Sequence, residues 1–255
     1  MSLGALRGVR EVAHSGSTAG YRAFLARYPD QRFSVAVLCN AREAPAADLA
    51  REVAALFLGD ALQAVPAPVA LTPGQRDALA GLFRDERSGE PLRLVAAGAG
   101  LRIQDEDVLL PLSGSEFRVG SGQGRIVFDG PDLLRWLSPE GEVQEYRRVA
   151  QATPTAAELL EYEGEYASDE AEVTYTLAAR EGGLTLKMRP ATQQPLRPAY
   201  RDAFTGPGGL VLFRRDDSGR IEGFSLGMGR VRDLRFRRLS PAPAADAPRP
   251  PSSGK

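Results

Sequence analysis

Few side chains in this sequence can act as proton-transfer groups or nucleophiles at neutral pH. The only histidine of the 255 residues is His14, within the stretch His14-Ser15-Gly16-Ser17, and the only cysteine is Cys39. Apart from two lysines, the 32 basic residues are arginines, which stay protonated and cannot act as bases. The composition therefore excludes most lysine mechanisms and directs attention to the stretch around His14.

The sequence predicts no metal centre and no cofactor. One cysteine and one histidine cannot form an internal disulfide or a His/Cys zinc site. The acidic residues 105–107 could contact a cation, but an exposed turn is the simpler interpretation. The run Gly120-Ser121-Gly122-Gln123-Gly124 has Arg125 where a dinucleotide-binding fingerprint needs its third glycine, so we expect a loop there.

A second candidate nucleophile is Ser225, because Gly223-Phe224-Ser225-Leu226-Gly227 matches the G-x-S-x-G pattern. That pattern carries chemistry only on a strand–turn–helix, with a histidine later in the chain. No histidine follows His14, and the residues after Gly227 continue as alternating strand-like segments. We interpret the match as chance.

Charge and hydropathy exclude two further classes. The 32 basic and 33 acidic residues give a formal charge of −1, which provides no electrostatic argument for binding nucleic acid or an anionic membrane surface. The sequence has no apolar run long enough to span a membrane, and residues 1–20 lack the apolar core of a secretory signal.

Residues 9–60 contain the elements that must position His14. The segments VREVAH, YRAFLARY and RFSVAVLCN predict three strands, and Pro29-Asp30-Gln31 predicts a tight hairpin between the last two. A helix is predicted over 46–59 from the helical spacing of Leu49, Val53, Leu56 and Phe57. One helix cannot cover both faces of a three-stranded sheet, so this unit looks like part of a larger domain.

The rest of the chain repeats itself. Short alternating segments recur in the same order in two copies, for example Leu79-Ala80-Gly81-Leu82-Phe83 and Tyr162-Glu163-Gly164-Glu165-Tyr166, or Tyr146-Arg147-Arg148-Val149 and Phe236-Arg237-Arg238-Leu239. Two copies of one antiparallel barrel explain this pattern. The predicted organisation is a partial α+β unit (1–62), a linker (63–76), two tandem barrels (77–150 and 151–240) and a disordered proline-rich tail (241–255). The fold class is mainly β.

In this context the His14-Ser15-Gly16 stretch resembles the H-x-G motif of the serine β-lactamase and penicillin-recognising family. That family ends its catalytic domain with a K-T-G or H-x-G strand, two more strands and a C-terminal helix. The resemblance covers residues 9–60. In the D-aminopeptidase branch two antiparallel barrels follow the catalytic domain, which corresponds in order and size to the repeats here. The resemblance implies the end of a catalytic domain followed by two lipocalin-like barrels.

The resemblance also implies a role for each residue of the motif. His14 would point from an edge strand into the cleft, where it would stabilise a substrate carboxylate or assist proton transfer. Ser15 would offer a hydroxyl, and Gly16 would let the substrate backbone approach the strand. The backbone N–H of Ser17 would be the second donor of the oxyanion hole. A three-residue pattern alone also fits a surface histidine at a strand end, but the surrounding elements favour the site.

The nucleophile half of such a site is absent from the sequence. The family chemistry needs S-x-x-K and a Y-x-N or S-D-N element, both far upstream of the H-x-G strand. The only S-x-x-K is Ser252-Ser253-Gly254-Lys255 in the tail, and the only asparagine, Asn40, has Leu38 two positions before it. We therefore expect a C-terminal fragment whose N-terminal catalytic portion is missing and which is inactive alone.

Two functions follow from these observations. The first is a fragment of a serine hydrolase that, as a whole, cleaves amide or ester bonds through an acyl-serine; small-molecule or peptide substrates would bind only with the missing portion. The alternative is a non-catalytic pair of lipocalin-like barrels that binds a small apolar ligand or a partner protein. Substrate and compartment stay open, with bacterial cytoplasm and periplasm both compatible.

The small sheet should leave apolar surface exposed. We expect Phe33, Val35 and Val37 to lack the rest of their sheet. This region should then exchange its amide hydrogens faster than the barrels, or a homo-oligomer should cover it.

Overall fold

A computed structural model of the chain describes residues 2–64, 66–98, 100–104, 108–120, 124–138, 142–180, 182–189, 192–229 and 231–239. It contains a four-stranded antiparallel sheet followed by two closed antiparallel barrels of eight strands each. The predicted fold class, mainly β with two barrels in tandem, is confirmed. Four predictions concern segments outside the described residues: the acidic turn 105–107, the loop 121–123, the tail 241–255 and the S-x-x-K at 252–255.

The chain divides into two compact units. The first contains the residues up to Arg87 together with Pro91–Arg148, and the second contains Ser88–Glu90 and the chain from Val149 onward. The N-terminal sheet and the first barrel thus belong to one unit, and the second barrel belongs to the other. The finer boundaries drawn from the sequence stay predictions.

The N-terminal sheet has the strand order β1-β2-β3-β4. Its strands are β1 (Ser2–Leu6), β2 (Val9–Thr18), β3 (Tyr21–Tyr28) and β4 (Phe33–Cys39). The last three correspond to the predicted strands, with β2 extending to Thr18, and β1 is an addition. The β1–β2 turn consists of Arg7 and Gly8, which have φ angles of 47° and 87°. Such two-residue turns are usually marked by Asn-Gly or Asp-Gly, which is why the sequence pattern did not reveal this hairpin.

Helix α1 (Ala46–Leu58) covers one face of this sheet. Its buried residues are mostly small, namely Ala46, Ala50, Ala54 and Leu58. Alanines let a helix approach a sheet closely, so the sheet-facing side of α1 carries little side-chain volume. The four larger residues whose spacing predicted the helix are instead exposed: Leu49 by 40%, Val53 by 37%, Leu56 by 82% and Phe57 by 72%.

The other face of the sheet exposes several large apolar residues. Its large residues are Leu3, Tyr21, Leu25 and Leu38, which are exposed by 63%, 62%, 53% and 81%. Phe33, Val35 and Val37, which were expected to lack cover, instead pack partly buried against the core beneath α1. They lie opposite Tyr28, Ala26 and Phe24, respectively, and directly opposed residues share one face of a sheet.

The first barrel is an up-and-down meander in which the last strand closes against the first. Its strands are β5 (Gly81–Asp85), β6 (Pro91–Ala97), β7 (Gly100–Ile103), β8 (Val108–Pro111), β9 (Glu116–Val119), β10 (Arg125–Phe128), β11 (Leu133–Leu137) and β12 (Val143–Val149). Closure removes the exposed strand edges that such short strands would otherwise present.

The second barrel repeats this topology. Its strands are β13 (Gly164–Ser168), β14 (Val173–Arg180), β15 (Gly183–Arg189), β16 (Thr192–Pro198), β17 (Ala203–Gly206), β18 (Gly209–Arg215), β19 (Ile221–Met228) and β20 (Val231–Arg238). Six buried rings pack in its core, those of Tyr162, Tyr166, Phe204, Phe213, Phe224 and Phe236. A ligand inside this barrel would have to displace them, and the alternative function as a ligand carrier stays a prediction without support from the packing.

Each barrel begins with a short helix, α2 (Pro73–Leu79) or α3 (Ala156–Leu160). Thr72 with Gln75 and Thr155 with Glu158 form the same capping box at the two helix starts. Helix α2 therefore begins inside the segment predicted as a linker.

In each barrel an arginine of the last strand also contacts residues at or just before the first strand. The guanidinium of Arg148 lies 4.6 Å from the ring centroid of Phe83 and donates to the carbonyl oxygen of Ala80 at 2.7 Å. In the second barrel Arg238 lies over the ring of Tyr166 at 6.0 Å and donates to the carbonyl oxygen of Glu163. The sequence repeat had paired these residues, so the predicted correspondence of the copies extends to individual contacts.

Candidate functional site

The four residues of the predicted motif lie consecutively on β2, and all are exposed. Strand β3 pairs with this end of β2, placing His14 opposite Leu25 and Ser17 opposite Arg22. On the other side, β1 pairs with β2 only as far as Ala13, which lies opposite Ser2. Among the described residues, the stretch from His14 to Thr18 therefore has one open strand edge.

This geometry modifies the expectation that His14 lies on an edge strand. Strand β2 is internal in the sheet order, because the hairpin with β1 flanks it. The strand is much longer than its partner, however, and only its first half is covered. The motif thus occupies an edge position on an internal strand, and its free backbone N–H and C=O groups can pair with an extended ligand.

The side chains of the motif alternate between the two faces of the sheet. His14 and Gly16 lie on the exposed apolar face with Leu25 and Ala23, their direct partners on β3. Ser15 and Ser17 lie on the side that α1 covers further along the strand. The structure therefore places the imidazole and the glycine together on one face, and the two hydroxyls on the other.

Gly16 is not required by the fold. A Cβ atom at this position would meet only the Cβ of Ala23, at 3.5 Å, which is an ordinary van der Waals contact. Other strand glycines differ: a Cβ at Gly209 would lie 2.0 Å from the carbonyl oxygen of Gly227. The space above Gly16 is thus open, as the approach of a ligand backbone would require.

A buried polar network supports β2 from the helix side. The carboxylate of Glu11, which is 4% exposed, accepts a hydrogen bond from the Tyr28 hydroxyl at 2.7 Å. It also accepts one from Arg51 of α1 at 2.9 Å, and the Arg51 guanidinium lies 5.1 Å from the ring centroid of Phe24. Because Phe24 pairs with Ser15, the network extends beneath the motif. Burial, with the hydrogen bond to Glu11, raises the pKa of Tyr28.

The sequence could not single out this network. Glu11, Tyr28 and Arg51 are far apart in the chain, and their residue types are common on protein surfaces. One sequence signal for the burial of Glu11 was the alternation of side chains along β2, which places Glu11 on the same face as the buried Val9 and Ala13.

The second candidate nucleophile, Ser225, lies in the middle of β19, paired on both sides with β18 and β20. Its hydroxyl donates to Asp233 at 2.5 Å and accepts from Arg214 at 2.8 Å. The hydrogen bond from Ser225, with one from Arg235, lowers the pKa of Asp233. Without a strand–turn–helix, this serine has no nucleophile-elbow geometry, in agreement with its interpretation as a chance match.

In the described part of the chain, no group of three or more His, Cys, Asp and Glu side chains is arranged to hold a metal ion. No helix formed by these residues has the length and apolar character needed to cross a membrane.

The chain has a distant relative among known proteins. The chain is similar to a D-aminopeptidase. This protein, from Cereibacter sphaeroides (strain KD131 / KCTC 12085), is 26% identical over an alignment of 247 positions that covers 91% of this chain and 46% of the relative. The predicted resemblance is thus confirmed as a distant similarity, and the chain spans about half the length of the curated relative that it matches. No family model matches the chain.

Solved structures give weaker likenesses. SurE with D-Leu and a second structure of SurE match with TM-scores of 0.29 and 0.27 and identities of 13% and 14%, covering 93% of this chain and 37% and 36% of theirs. The octameric penicillin-binding protein homologue from Pyrococcus abyssi matches with a TM-score of 0.23 and 16% identity, covering 55% of this chain and 34% of its own. TM-scores this low carry no weight for fold or function.

Proposed function

We propose that this chain is the C-terminal portion of a serine hydrolase similar to the D-aminopeptidases. In this proposal the open end of β2 forms one wall of an acyl-transfer site. His14 and Gly16 face the substrate, Ser15 contributes its hydroxyl, and the backbone N–H of Ser17 is a donor to the oxyanion. The nucleophilic serine and its base come from polypeptide outside these 255 residues, so the chain alone is inactive.

One observation carries the proposal: the motif lies on an open strand edge and contains a glycine that the fold does not need. All four motif residues on β2 are exposed, and a Cβ atom at Gly16 would meet only Ala23. A surface histidine at a strand end explains the exposure of His14 but gives no reason for the glycine or the open edge. The distant similarity to a D-aminopeptidase over 91% of the chain adds independent support.

The proposed reaction is hydrolysis of an amide or ester bond, with D-amino-acid derivatives as the substrate class. The serine oxygen would attack the carbonyl carbon, and its proton would pass to the departing amine or alcohol. Water would then release the acid and restore the serine. The motif residues on β2 would bind the substrate as an added strand, place an imidazole beside it and donate one backbone N–H to the oxyanion.

The exposed apolar face of the sheet is consistent with a missing portion. Leu25 and Leu38 are exposed by 53% and 81% on the same face as His14. Groups of exposed large apolar residues usually mark surfaces that another part of a protein covers. In this proposal the segment that supplies the nucleophile covers this face and so stands opposite the imidazole.

The first experiment uses the chain as it is. A fluorophosphonate probe and D-alanine p-nitroanilide are incubated with the purified 255-residue protein. We expect neither labelling nor release of p-nitroaniline. Stable labelling of any serine would contradict the inactivity of the chain.

The second experiment reads the coding sequence upstream of Met1. A continuous frame that encodes S-x-x-K and Y-x-N supports the proposal, and an unrelated gene contradicts it. The joined protein then allows a residue-level test: His14→Ala should lower kcat/KM by about 10²- to 10⁴-fold, the usual contribution of a proton-transfer group. His14→Lys should restore part of this loss, because lysine occupies this position in the K-T-G branch of the family.

A further inference from the structure

The helix side of the β2–β3 hairpin consists of rows of directly opposed residues. Ala13 lies opposite Ala26, and in the next row Ser15 lies opposite Phe24. Strand β1 accompanies β2 only as far as Ala13, so the covered part of β2 ends between these two rows. Glu11, on the same side of the strand, belongs to the covered half. The five residues of β2 after Ala13 are called the open half below.

The side chain of Arg51 extends across this boundary. Its Nη2 donates to Oε1 of Glu11 at 2.9 Å, and its guanidinium lies 5.1 Å from the ring centroid of Phe24. The row between these two contacts consists of Ala13 and Ala26, which are 4% and 0% exposed. Because alanine side chains are short, the arginine can pass over this row. Arg51 thus contacts both the covered half of the hairpin and the residue directly opposite the motif.

The arginine is itself held in place. Helix α1 packs on β3 and β4, and Arg51 reaches past β3 to the carboxylate of Glu11 on β2. The other oxygen of that carboxylate accepts a hydrogen bond from Tyr28 on β3 at 2.7 Å. A guanidinium that is fixed by an ion pair at one end and by an aromatic ring along its face has little freedom to move.

We propose that Arg51 is a positioning residue for the site on β2. It holds the open half against β3 through Phe24 and through the ion pair to Glu11, and so keeps the Ser17 backbone N–H and the His14 imidazole in place. Arg51 does not touch the substrate. This role rests on the proposed function of the motif.

The open half needs such support because it has fewer backbone partners than the covered half. Among the described residues, the covered half pairs with β1 and β3, whereas the open half pairs with β3 alone. Backbone held on one side opens more readily. A donor to an oxyanion acts only at the correct position, and a displacement of about 1 Å can cost about 100-fold in rate.

The first test uses hydrogen exchange of the 255-residue chain, read by mass spectrometry of peptides. Arg51→Met should accelerate exchange at residues 14–18 and 21–25 by about 10-fold or more, since hydrogen bonds to charged groups change an opening equilibrium by this amount. Residues 2–13 should change less. In Glu11→Gln/Arg51→Met, which buries no charge, the covered half should recover and the open half should not.

The matched control is Leu58→Ala. Leu58 is 8% exposed and belongs to the same helix and the same core, but it is not part of the contact between Arg51 and β2. Its truncation should accelerate exchange in both halves to a similar degree. If Arg51→Met also affects both halves equally, or if the open half recovers in the double variant, the positioning role is overturned. This result does not depend on any activity.

The second test uses the protein joined to its upstream portion, with D-alanine p-nitroanilide, well below the unfolding temperature of each variant. Arg51→Met should lower kcat/KM by about 10- to 100-fold, mainly through kcat, because the oxyanion forms only in the transition state. Arg51→Lys keeps the charge but loses the planar group over Phe24, so its loss should be smaller.

The double variant separates positioning from stability. Glu11→Gln/Arg51→Met should regain stability and still have low kcat/KM, whereas Leu58→Ala should lose stability and keep its kcat/KM. A double variant with the kcat/KM of the wild type, or an equal loss in Leu58→Ala, would reduce Arg51 to a stabilising residue. An inactive wild-type joined protein would contradict the proposed function instead, and the exchange measurement would then decide the role of Arg51.

Discussion

The guanidinium of Arg51 on α1 lies 2.9 Å from the carboxylate of Glu11 on β2, and the two side chains are only 21% and 6% exposed. The pair joins the helix to the strand that carries His14. Tyr28 satisfies the other oxygen of Glu11, so the buried charge is both paired and hydrogen-bonded. Burial of the two charges costs desolvation free energy, which their mutual attraction and the hydrogen bond from Tyr28 offset.

Removing Arg51 should destabilise the N-terminal sheet strongly. Arg51→Met leaves Glu11 buried without a cation and should lower the free energy of unfolding by about 3 kcal/mol. Combining it with Glu11→Gln should restore part of this loss, because no buried charge remains. Native-state hydrogen exchange of the β3 amides measures both effects.

The matched control is Arg10→Met. Arg10 forms an ion pair with Asp30 at 2.6 Å, but the two side chains are 60% and 56% exposed. Exposed pairs contribute about 0–1 kcal/mol. If Arg51→Met destabilises the sheet no more than Arg10→Met does, the network beneath β2 does not hold the strand in place.

Loss of Arg148 should destabilise the first barrel. Its guanidinium covers Phe83 and donates to the carbonyl oxygens of Ala78, Ala80 and Pro131. Arg148→Met should lower the free energy of unfolding of this barrel by about 2 kcal/mol, since it removes hydrogen bonds to a charged donor. Fluorescence of Trp136, the only tryptophan, reports on this barrel during urea unfolding.

A second arginine on the same barrel provides the comparison. Arg125 pairs with Glu116 at 2.7 Å, with side chains 53% and 32% exposed, and Arg125→Met should change the Trp136 transition by less than about 1 kcal/mol. Equal shifts in the two variants would mean that closure by Arg148 contributes no more than a surface ion pair.

The sequence repeat predicted individual contacts in the barrels as well as the presence of two copies. It paired Phe83 with Tyr166 and Arg148 with Arg238, and each aromatic residue proved to lie beneath the arginine of its own repeat. The physical reason is topological. In a closed meander the first and last strands are neighbours, so residues at the two ends of each repeat meet. A repeat in the sequence therefore carries information about long-range contacts.

The N-terminal sheet and helix α1 were less predictable from the sequence. Strand β1 was missed because Arg7-Gly8 is not a common hairpin signal, although both residues have positive φ angles. The apolar spacing on α1 located the helix but did not show that its alanines, rather than Leu56 and Phe57, face the sheet. A periodic pattern identifies an amphipathic element, whereas the choice of the buried face depends on what packs against it.

The candidate site was also predictable only in part from the sequence. His14 could be found because it is the only histidine and begins the His14-Ser15-Gly16 pattern on the first of three predicted strands followed by a helix. The support from Arg51 could not be found, since the arginine is 40 residues from Glu11 and resembles any surface arginine on a helix.

Acid should destabilise the second barrel through Asp202. Burial alone would raise the pKa of this carboxyl group, but hydrogen bonds from Arg215 and Tyr162 outweigh burial and lower it. A pKa that is lower in the folded state than in the unfolded state adds stability above the unfolded value of about 4. This stability is lost as the pH falls through the folded pKa. Asp216, whose pKa the Ser218 hydroxyl and the Arg220 backbone N–H lower to about 2, adds an effect of the same sign.

The acid response can be measured by urea unfolding of the second barrel between about pH 5 and pH 2. Asp202→Asn should lower stability at pH 7 by about 2 kcal/mol and flatten the decline below about pH 4. Glu222→Gln, in the same barrel, removes an ion pair with Arg214 whose side chains are 52% and 35% exposed, and it should leave the decline unchanged. A decline of full steepness in Asp202→Asn would show that this carboxylate is not its source.

Alanine substitutions at Gly16 and Gly209 test whether each glycine is required for folding. Gly16→Ala should leave the free energy of unfolding within about 0.5 kcal/mol of the wild type, because the added methyl meets only Ala23 at 3.5 Å. Gly209→Ala should destabilise the second barrel by more than about 2 kcal/mol, because the φ angle is +99° and the methyl would lie 2.0 Å from a carbonyl oxygen. Chemical denaturation of both variants checks this contrast. Marked destabilisation by Gly16→Ala would give the glycine a role in folding and so remove the observation on which the proposed site depends.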